Sequence, residues 1–427
     1  MPFFSLQRFR PRGLTIQPCV KNIGECDAME VTDSDWSRLG VVGKSALVGI
    51  GPFVSIGLFS MGAALPKLAS DVAGQPNADA LVQLIGTVVA PLFAIGSPLA
   101  GWLIGRLGVR NVYIASVLMM TVGGVAPAFC DSLYAILAMR VLLAFGVAGG
   151  FTAGMSGIAR LPDNQRPAIL GLNSFVGGAI CLPLFPLVGM LAEESWRNAF
   201  LVHAILLVMI LPGLSLPGNS KDRALPTGHV ASRVNRGILA GVPAKLAVAT
   251  ALMGLAIVSS SMYSPFLLST LGVTGSAKVG QFLGLMSLCS LLGSGSYGWL
   301  HRRIGTFGLL ILGISATAAG CLAMGMASAL PTAVTGMCFL GMGLAVFSAA
   351  AYAAAIDWVG PAGNTPAALG VMTFCLYGSQ LAFPLISGSL GAAQGPASVF
   401  LLISALAVLS LTLAIGLGKS PVLGTAQ

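Results

Sequence analysis

The residue with the most chemistry to offer is Arg140, which stands alone in the apolar run Leu133-Tyr-Ala-Ile-Leu-Ala-Met-Arg-Val-Leu-Leu-Ala-Phe-Gly146. A guanidinium presents a planar fork of donors that matches a carboxylate through two parallel hydrogen bonds, so an arginine placed there is suited to holding an organic anion. It can equally turn its head toward water or bond to backbone carbonyls, and its role is then structural. Asn173 and Tyr377, polar residues in two other apolar runs, are the groups that would complete an anion site by hydrogen bonding. His203, Tyr263, Gln281, Tyr352 and Gln380 are similar in kind, and for every one of these residues an interhelical hydrogen bond is an equally good reading. Only His203 among them changes charge near neutral pH, and a lone histidine in a helix reads first as a neutral packing residue. No Asp or Glu lies deep in any of the apolar runs, so no carboxylate stands ready there to carry protons.

Other chemistry fails on spacing or context. There is no Walker loop, no His-Glu-x-x-His and no Gly-x-Ser-x-Gly, which argues against an enzyme. Gly293-Ser-Gly-Ser-Tyr-Gly298 spells a dinucleotide fingerprint, but that fingerprint needs a strand before it and a helix starting at the glycines, whereas here it falls inside an apolar run. Cys19 and Cys26 share a polar stretch without a nearby histidine, which is poor for a metal, and the other six cysteines lie in or beside apolar runs and read as small hydrophobes. No metal or cofactor is expected. A net charge of +9 raises the question of nucleic acid, yet the cations sit singly or in pairs between apolar runs rather than in a patch.

The elements that must position Arg140 are membrane helices. Of 427 residues 56% are hydrophobic and only 8% charged, against about a quarter charged in soluble domains, so the solvent for most of the chain is lipid. Runs of about 20 apolar residues cross a bilayer. Interruptions by charge, Pro or Asn divide the sequence into spans at 45–66, 81–105, 111–130, 133–158, 167–191, 198–217, 243–268, 278–300, 306–328, 332–358, 366–390 and 396–418. All are expected to be helical, because lipid offers no partner for backbone N–H and C=O groups. The many glycines, for example Gly146, Gly150 and Gly154, suit helices that pack closely in a membrane.

Charge gives the organisation. Residues 1–44 form an N-terminal extension with Arg8, Arg10 and Arg12 but no secretory signal pattern, so the first span is expected to stay in the protein. The polar stretch 218–242 separates one group of six spans, 45–217, from another, 243–418, and 419–427 is a short tail. With the N-terminus placed inside, only Lys67, Arg197 and Lys278 fall on the outer side and Arg140 within a span, while every other Lys and Arg lies inside. Such asymmetry puts the extension, the linker and the tail in the cytoplasm, in a multi-pass protein of the plasma (cytoplasmic, or inner) membrane.

The two groups repeat each other. Gly101-Trp-Leu-Ile-Gly-Arg-Leu-Gly-Val-Arg110 returns as Gly298-Trp-Leu-His-Arg-Arg-Ile-Gly305, and Pro167-Ala-Ile-Leu-Gly-Leu-Asn-Ser-Phe175 as Pro366-Ala-Ala-Leu-Gly-Val-Met-Thr-Phe374 at nearly the same offset. With these repeats, the chain over 45–418 resembles the major facilitator superfamily of secondary transporters. Gly101, Arg106, Gly108 and Arg110 match that family's loop between helices 2 and 3, with Gly105 where the family carries Asp; the second copy keeps Gly298, Arg303 and Gly305, with Arg302 at the Asp position. The spacing from Arg140 to Gly146 and the sequence Trp196-Arg197-Asn-Ala-Phe200 at the start of helix 6 extend the resemblance.

The resemblance implies an all-α membrane fold of about twelve helices in two pseudo-repeated halves, which rock about a central site and so give access to each side in turn. It implies that the seven motif residues act in gating. Without the family's Asp the latch is weaker or rebuilt, either with Asp357 facing Arg302 or Arg303 or with Asp357 only capping a helix. Drug antiporters carry a Gly-Pro pair late in helix 5, where this chain reads Gly177-Gly-Ala-Ile-Cys-Leu-Pro-Leu-Phe-Pro186, so proton-driven export does not follow. The expected partners are a small-molecule substrate and the lipid bilayer, with no nucleic acid, around a monomeric chain. The function expected is secondary transport of a small organic solute, with an organic anion favoured by Arg140. The alternatives are multidrug or metabolite efflux and a receptor or assembly protein that keeps the fold without transport.

Overall fold

A computed structural model describes residues 36–162, 164–218, 241–359 and 365–417. The described residues are helical between short turns. They hold eleven helices long and apolar enough to cross a membrane, and one of these, Ser276–Gly325, is two spans joined at Gly305, where the backbone leaves the helical region. In chain order the spans are α1 (Val41–Asp71), α2 (78–107, interrupted at Val88), α3 (Val109–Phe129), α4 (Leu133–Ala159), α5 (Arg166–Glu194) and α6 (Trp196–Leu214). After the linker come α7 (Ala244–Thr270), α8 (276–304), α9 (306–325), α10 (Leu330–Val359), α11 (365–394) and α12 (Pro396–Ile415). The expected spans thus appear one for one. Their ends move by a few residues, since hydropathy does not mark where a helix continues past the hydrocarbon edge.

Odd and even helices run in opposite directions. Gly218 and Gly241 lie beside the first residues of α3 and the last of α10, so the face where α1 begins also receives both ends of the linker, and we call it the linker face. Many large apolar side chains, Met190, Leu211, Val122 and Leu385 among them, stand on the outside of the bundle, as lipid requires.

Packing between neighbouring helices relies on missing side chains. A Cβ on Gly146 of α4 would lie 2.8 Å from the Met120 amide nitrogen of α3, and in the second group a Cβ on Gly313 of α9 would lie 2.6 Å from that of Phe347 on α10. Backbones this close gain dispersion contacts that lipid tails cannot match. Trp36, just before α1, is buried with its ring against Gly157 of α4 and near Arg160, so the last part of the N-terminal extension is packed on the first group. Residues 1–35, where Arg8, Arg10, Arg12, Cys19 and Cys26 fall, lie outside the described residues.

The two groups of six meet away from the linker face. Gly189 of α5 faces the Ser276 carbonyl and Gly280 of α8 faces the Phe185 carbonyl, each so closely that a Cβ would collide. The Ala277 N–H of α8 donates to the Glu193 carboxylate of α5 at 2.8 Å. Gly62 of α1 likewise abuts the Ser261 carbonyl of α7. Nearer mid-depth the contact passes through the rings of Phe93 on α2 and Tyr377 on α11, edge to face at 5.5 Å.

Candidate functional site

Arg140 is completely buried, about two turns into α4 from the far face. Its Nε donates to the Ile85 carbonyl of α2 at 3.2 Å, next to the interruption of that helix at Val88. Nη1 and Nη2 are also buried, and neither has a hydrogen-bond partner. The sequence left open whether this side chain reaches water, bonds to carbonyls or awaits a ligand; the structure excludes the first, gives one bond of the second kind, and leaves the terminal fork free.

The three residues proposed to bind together occupy different places. Asn173 is buried on α5 toward the linker face, its backbone and amide against Gly51 of α1 and its Oδ1 without a partner. Tyr377 lies on α11 against Phe93, which also meets Phe151 of α4 edge to face. Phe93 is two turns along α2 from Ile85, so Tyr377 and Arg140 flank one stretch of α2, about 12 Å apart along the axis. Asn173, on a different interface and near the other end of the bundle, is not brought to them. Sequence distance between spans says nothing about depth until helix direction and register are combined, which explains the mismatch.

His203 is buried among the first six helices, its Nδ1 2.9 Å from the Phe200 carbonyl and its Nε2 3.1 Å from the Ser60 hydroxyl. A carbonyl only accepts, so Nδ1 carries a proton, and the neutral ring then accepts from Ser60 through Nε2. It packs and holds α6 to α1. Gln380 donates within its own helix to the Leu376 carbonyl, and Tyr352 is 3.1 Å from the Thr373 hydroxyl, an interhelical bond.

The repeated turns share one backbone geometry. Gly108 has φ 80° and ψ 162° and Gly305 has φ 68° and ψ 177°, a region that only glycine enters readily. Each turn carries an arginine laid over a tryptophan one helical turn earlier: Arg106 over Trp102 at 3.9 Å, and Arg303 over Trp299 at 4.7 Å. Arg110 lies beside Gly218, where the chain leaves α6. Gly101 and Gly298 face open space, so close packing does not require them in this arrangement.

Asp357, at the end of α10, is not paired with Arg302 or Arg303 but accepts from the Thr306 hydroxyl at 2.9 Å. Thr306 is in turn 3.1 Å from His301 Nε2, so a His301–Thr306–Asp357 chain ties the α8–α9 turn to α10. Thr306 was missed although a signal existed, a hydroxyl residue directly after a glycine turn at a helix start. Arg197 was read as an outer-side cation and as part of the Trp196–Phe200 motif, without a partner of its own. It binds the Asp131 carboxylate at 2.7 Å and the Cys130 and Ala128 carbonyls at 2.6 and 3.2 Å, clamping the start of α6 to the α3–α4 turn.

Comparison with known proteins agrees with this architecture. A family model described as Major Facilitator Superfamily matches residues 48–337. Among solved structures, the nucleoside transporter NupG is similar with a TM-score of 0.70 at 14% identity, covering 89% of this chain and all of that one. A D-xylose–proton symporter gives 0.71 at 17% identity, covering 87% and 96%. NiaP of Bacillus subtilis, named as a niacin/nicotinamide transporter, is 26% identical over 344 residues, 76% of this chain and 83% of that protein. MdtD of Pectobacterium carotovorum, named as a multidrug resistance protein, is 30% identical over 144 residues, and the match spans only 30% of that relative's length.

Proposed function

Because the chain belongs to the major facilitator superfamily, and is therefore a multi-pass membrane transporter rather than an enzyme, we propose that its cargo is a small organic anion, or a zwitterion with an exposed carboxylate, that pairs with Arg140. The observation that carries this reading is the buried guanidinium with two terminal nitrogens unpartnered. A lone cation in the hydrocarbon costs about 2.5 kcal/mol or more on insertion scales, and one neutral carbonyl does not offset that. A carboxylate would, through the free fork. The pairing needs the two groups of helices to move, since Arg140 is closed to solvent in the arrangement described; Tyr377 of α11, whose ring packs on Phe93 further along α2, would then add a hydrogen bond. One of the two solutes in the name of NiaP, niacin, is a carboxylate. Purified protein in liposomes should take up radiolabelled carboxylates saturably and their amides far more slowly. Equal rates for acids and amides overturn the anion reading. Efflux of unrelated apolar cations instead would favour the second reading, multidrug export, which rests on the similarity to MdtD.

We place the linker face in the cytoplasm, on the distribution of Lys and Arg. The arrangement described is then one closed to the outside, and the cell's inner membrane is the expected location. Reporter fusions at Asp222 and Lys419, both outside the described residues, should read as cytoplasmic and one at Asp131 as external. An external signal at Asp222 would sink this orientation.

The turns at Gly108 and Gly305 stand at that cytoplasmic mouth, where the rocking halves must pass the linker. Gly108→Leu forces a side chain into a conformation costing about 1–3 kcal/mol. The variant should still insert and reach normal abundance while its transport rate falls severalfold. A rate equal to that of the parent protein would show the turn to be dispensable for the cycle.

A further inference from the structure

We propose that a cavity of about 280 Å³ at the far face, between α2, α7 and α11, is a binding site for a small organic cation of the quaternary or primary ammonium class, separate from the cargo path at Arg140. Its lining includes Asp79 and Gln83 from α2, Tyr263, Phe266 and Thr270 from α7, and Ser387 from α11. Asp79 is exposed and stands in the first turn of α2. Gln83 is 8% exposed, and its Oε1 has no hydrogen-bond partner. Tyr263 and Phe266 put two rings, 5.6 Å apart and tilted, on the opposite wall.

Each feature selects the same ligand class. Among the described residues no Lys or Arg lines the cavity, so an anion would meet the Asp79 charge uncompensated. The described residues contain no group of His, Cys, Asp and Glu able to hold a metal ion, and the volume is much larger than a bare ion needs. One carboxylate, hydroxyls and two aromatic rings, with the Gln83 amide buried behind them, are together the partners of an ammonium with an apolar body. The size lies just below the usual range for small-molecule pockets.

The walls come from both groups of helices, α2 from the first and α7 and α11 from the second, so the cavity exists only while the far face is closed. A ligand held there stabilises that state and opposes its opening by its differential affinity. On the orientation proposed above it would act from outside the cell as an inhibitor that does not compete with cargo, although binding itself needs no assumption about orientation or cargo.

Choline is a suitable probe, with its uncharged analogue, in which a quaternary carbon replaces the nitrogen, as the control. Titration calorimetry on the full-length protein in nanodiscs should show saturable choline binding and at least about tenfold weaker binding of the analogue. Asp79→Asn, at an exposed position that tolerates the change, should weaken choline by about tenfold. Phe266→Ala, on the other wall, should weaken it severalfold. Absence of saturable choline binding, equal affinity for the uncharged analogue, or unchanged affinity in either variant would each overturn the proposal.

Discussion

Replacing Arg140 with lysine should raise the substrate concentration needed for half-maximal transport by about ten- to a hundredfold while leaving membrane insertion intact. Lysine keeps the charge, but its ammonium is a compact point donor and cannot reproduce the two parallel bonds of the guanidinium fork. Nε is already committed to the Ile85 carbonyl, and that bond fixes the direction in which the fork points. A lysine has a single nitrogen for both tasks. Arg140→Ala should lose more affinity than the lysine variant. Arg140→Met separates function from stability: a thioether of similar volume fills most of the space without a buried charge, so the melting temperature should stay level or rise while transport of carboxylates is lost, as when buried charges are exchanged for apolar groups of like volume. If the lysine and alanine variants both insert and transport with the parent's apparent affinity, Arg140 is structural and the anion reading fails.

The order and extent of the spans were legible because lipid removes the alternatives: a run long enough to cross must be a helix, and polar interruptions mark roughly where it ends. The helix-packing role of Gly146 was legible for the same reason, since a small residue in a span has little else to do. The glycine turns could be read as well, because Gly108 and Gly305 fall where two spans leave only a few residues to reverse direction. What sequence did not show was which polar groups share a depth. Arg140 and Asn173 each lie about two turns inside a helix, but from opposite faces, and the pairing imagined between them ignored direction. The partner of Asp357 was missed because opposite charge was sought nearby, whereas the short side chain of Thr306, held by the Gly305 turn, reaches it first. Nor does any pattern mark the π-helical turns at Ser259–Tyr263 in α7 and Phe374–Gly378 in α11.

Closing the far face depends on glycines at the crossing of α5 and α8, so Gly189→Val and Gly280→Val should each abolish most transport and hold the molecule open on that side. A Cβ at Gly189 would collide with the Ser276 carbonyl and lie 3.1 Å from the Cα of Gly280, and a Cβ at Gly280 would collide with the Phe185 carbonyl. The obstacles are backbone atoms, which cannot turn aside as a flexible side chain can, so the helices themselves must separate. Parting them also breaks the bond from the Ala277 N–H to Glu193. Moving a two-state equilibrium from one side to the other takes about 5.5 kcal/mol, within reach of a clash of this kind combined with a lost charge-assisted bond. The nearest atoms that either added Cβ would meet belong to the other group of six, so each group should fold as before and the protein should insert. The population shift can be read directly with a cysteine at Ser276, now 8% exposed. In the Ser276→Cys background, a membrane-impermeant maleimide applied at the far face should label slowly, and adding Gly189→Val should speed labelling by about tenfold or more. Gly295→Val is the control: it lies on α8 as well, but a Cβ there meets nothing within 4 Å, so transport and labelling should stay as they are. Unchanged flux and unchanged labelling in both the Gly189 and Gly280 variants would mean that the far face closes without these glycines.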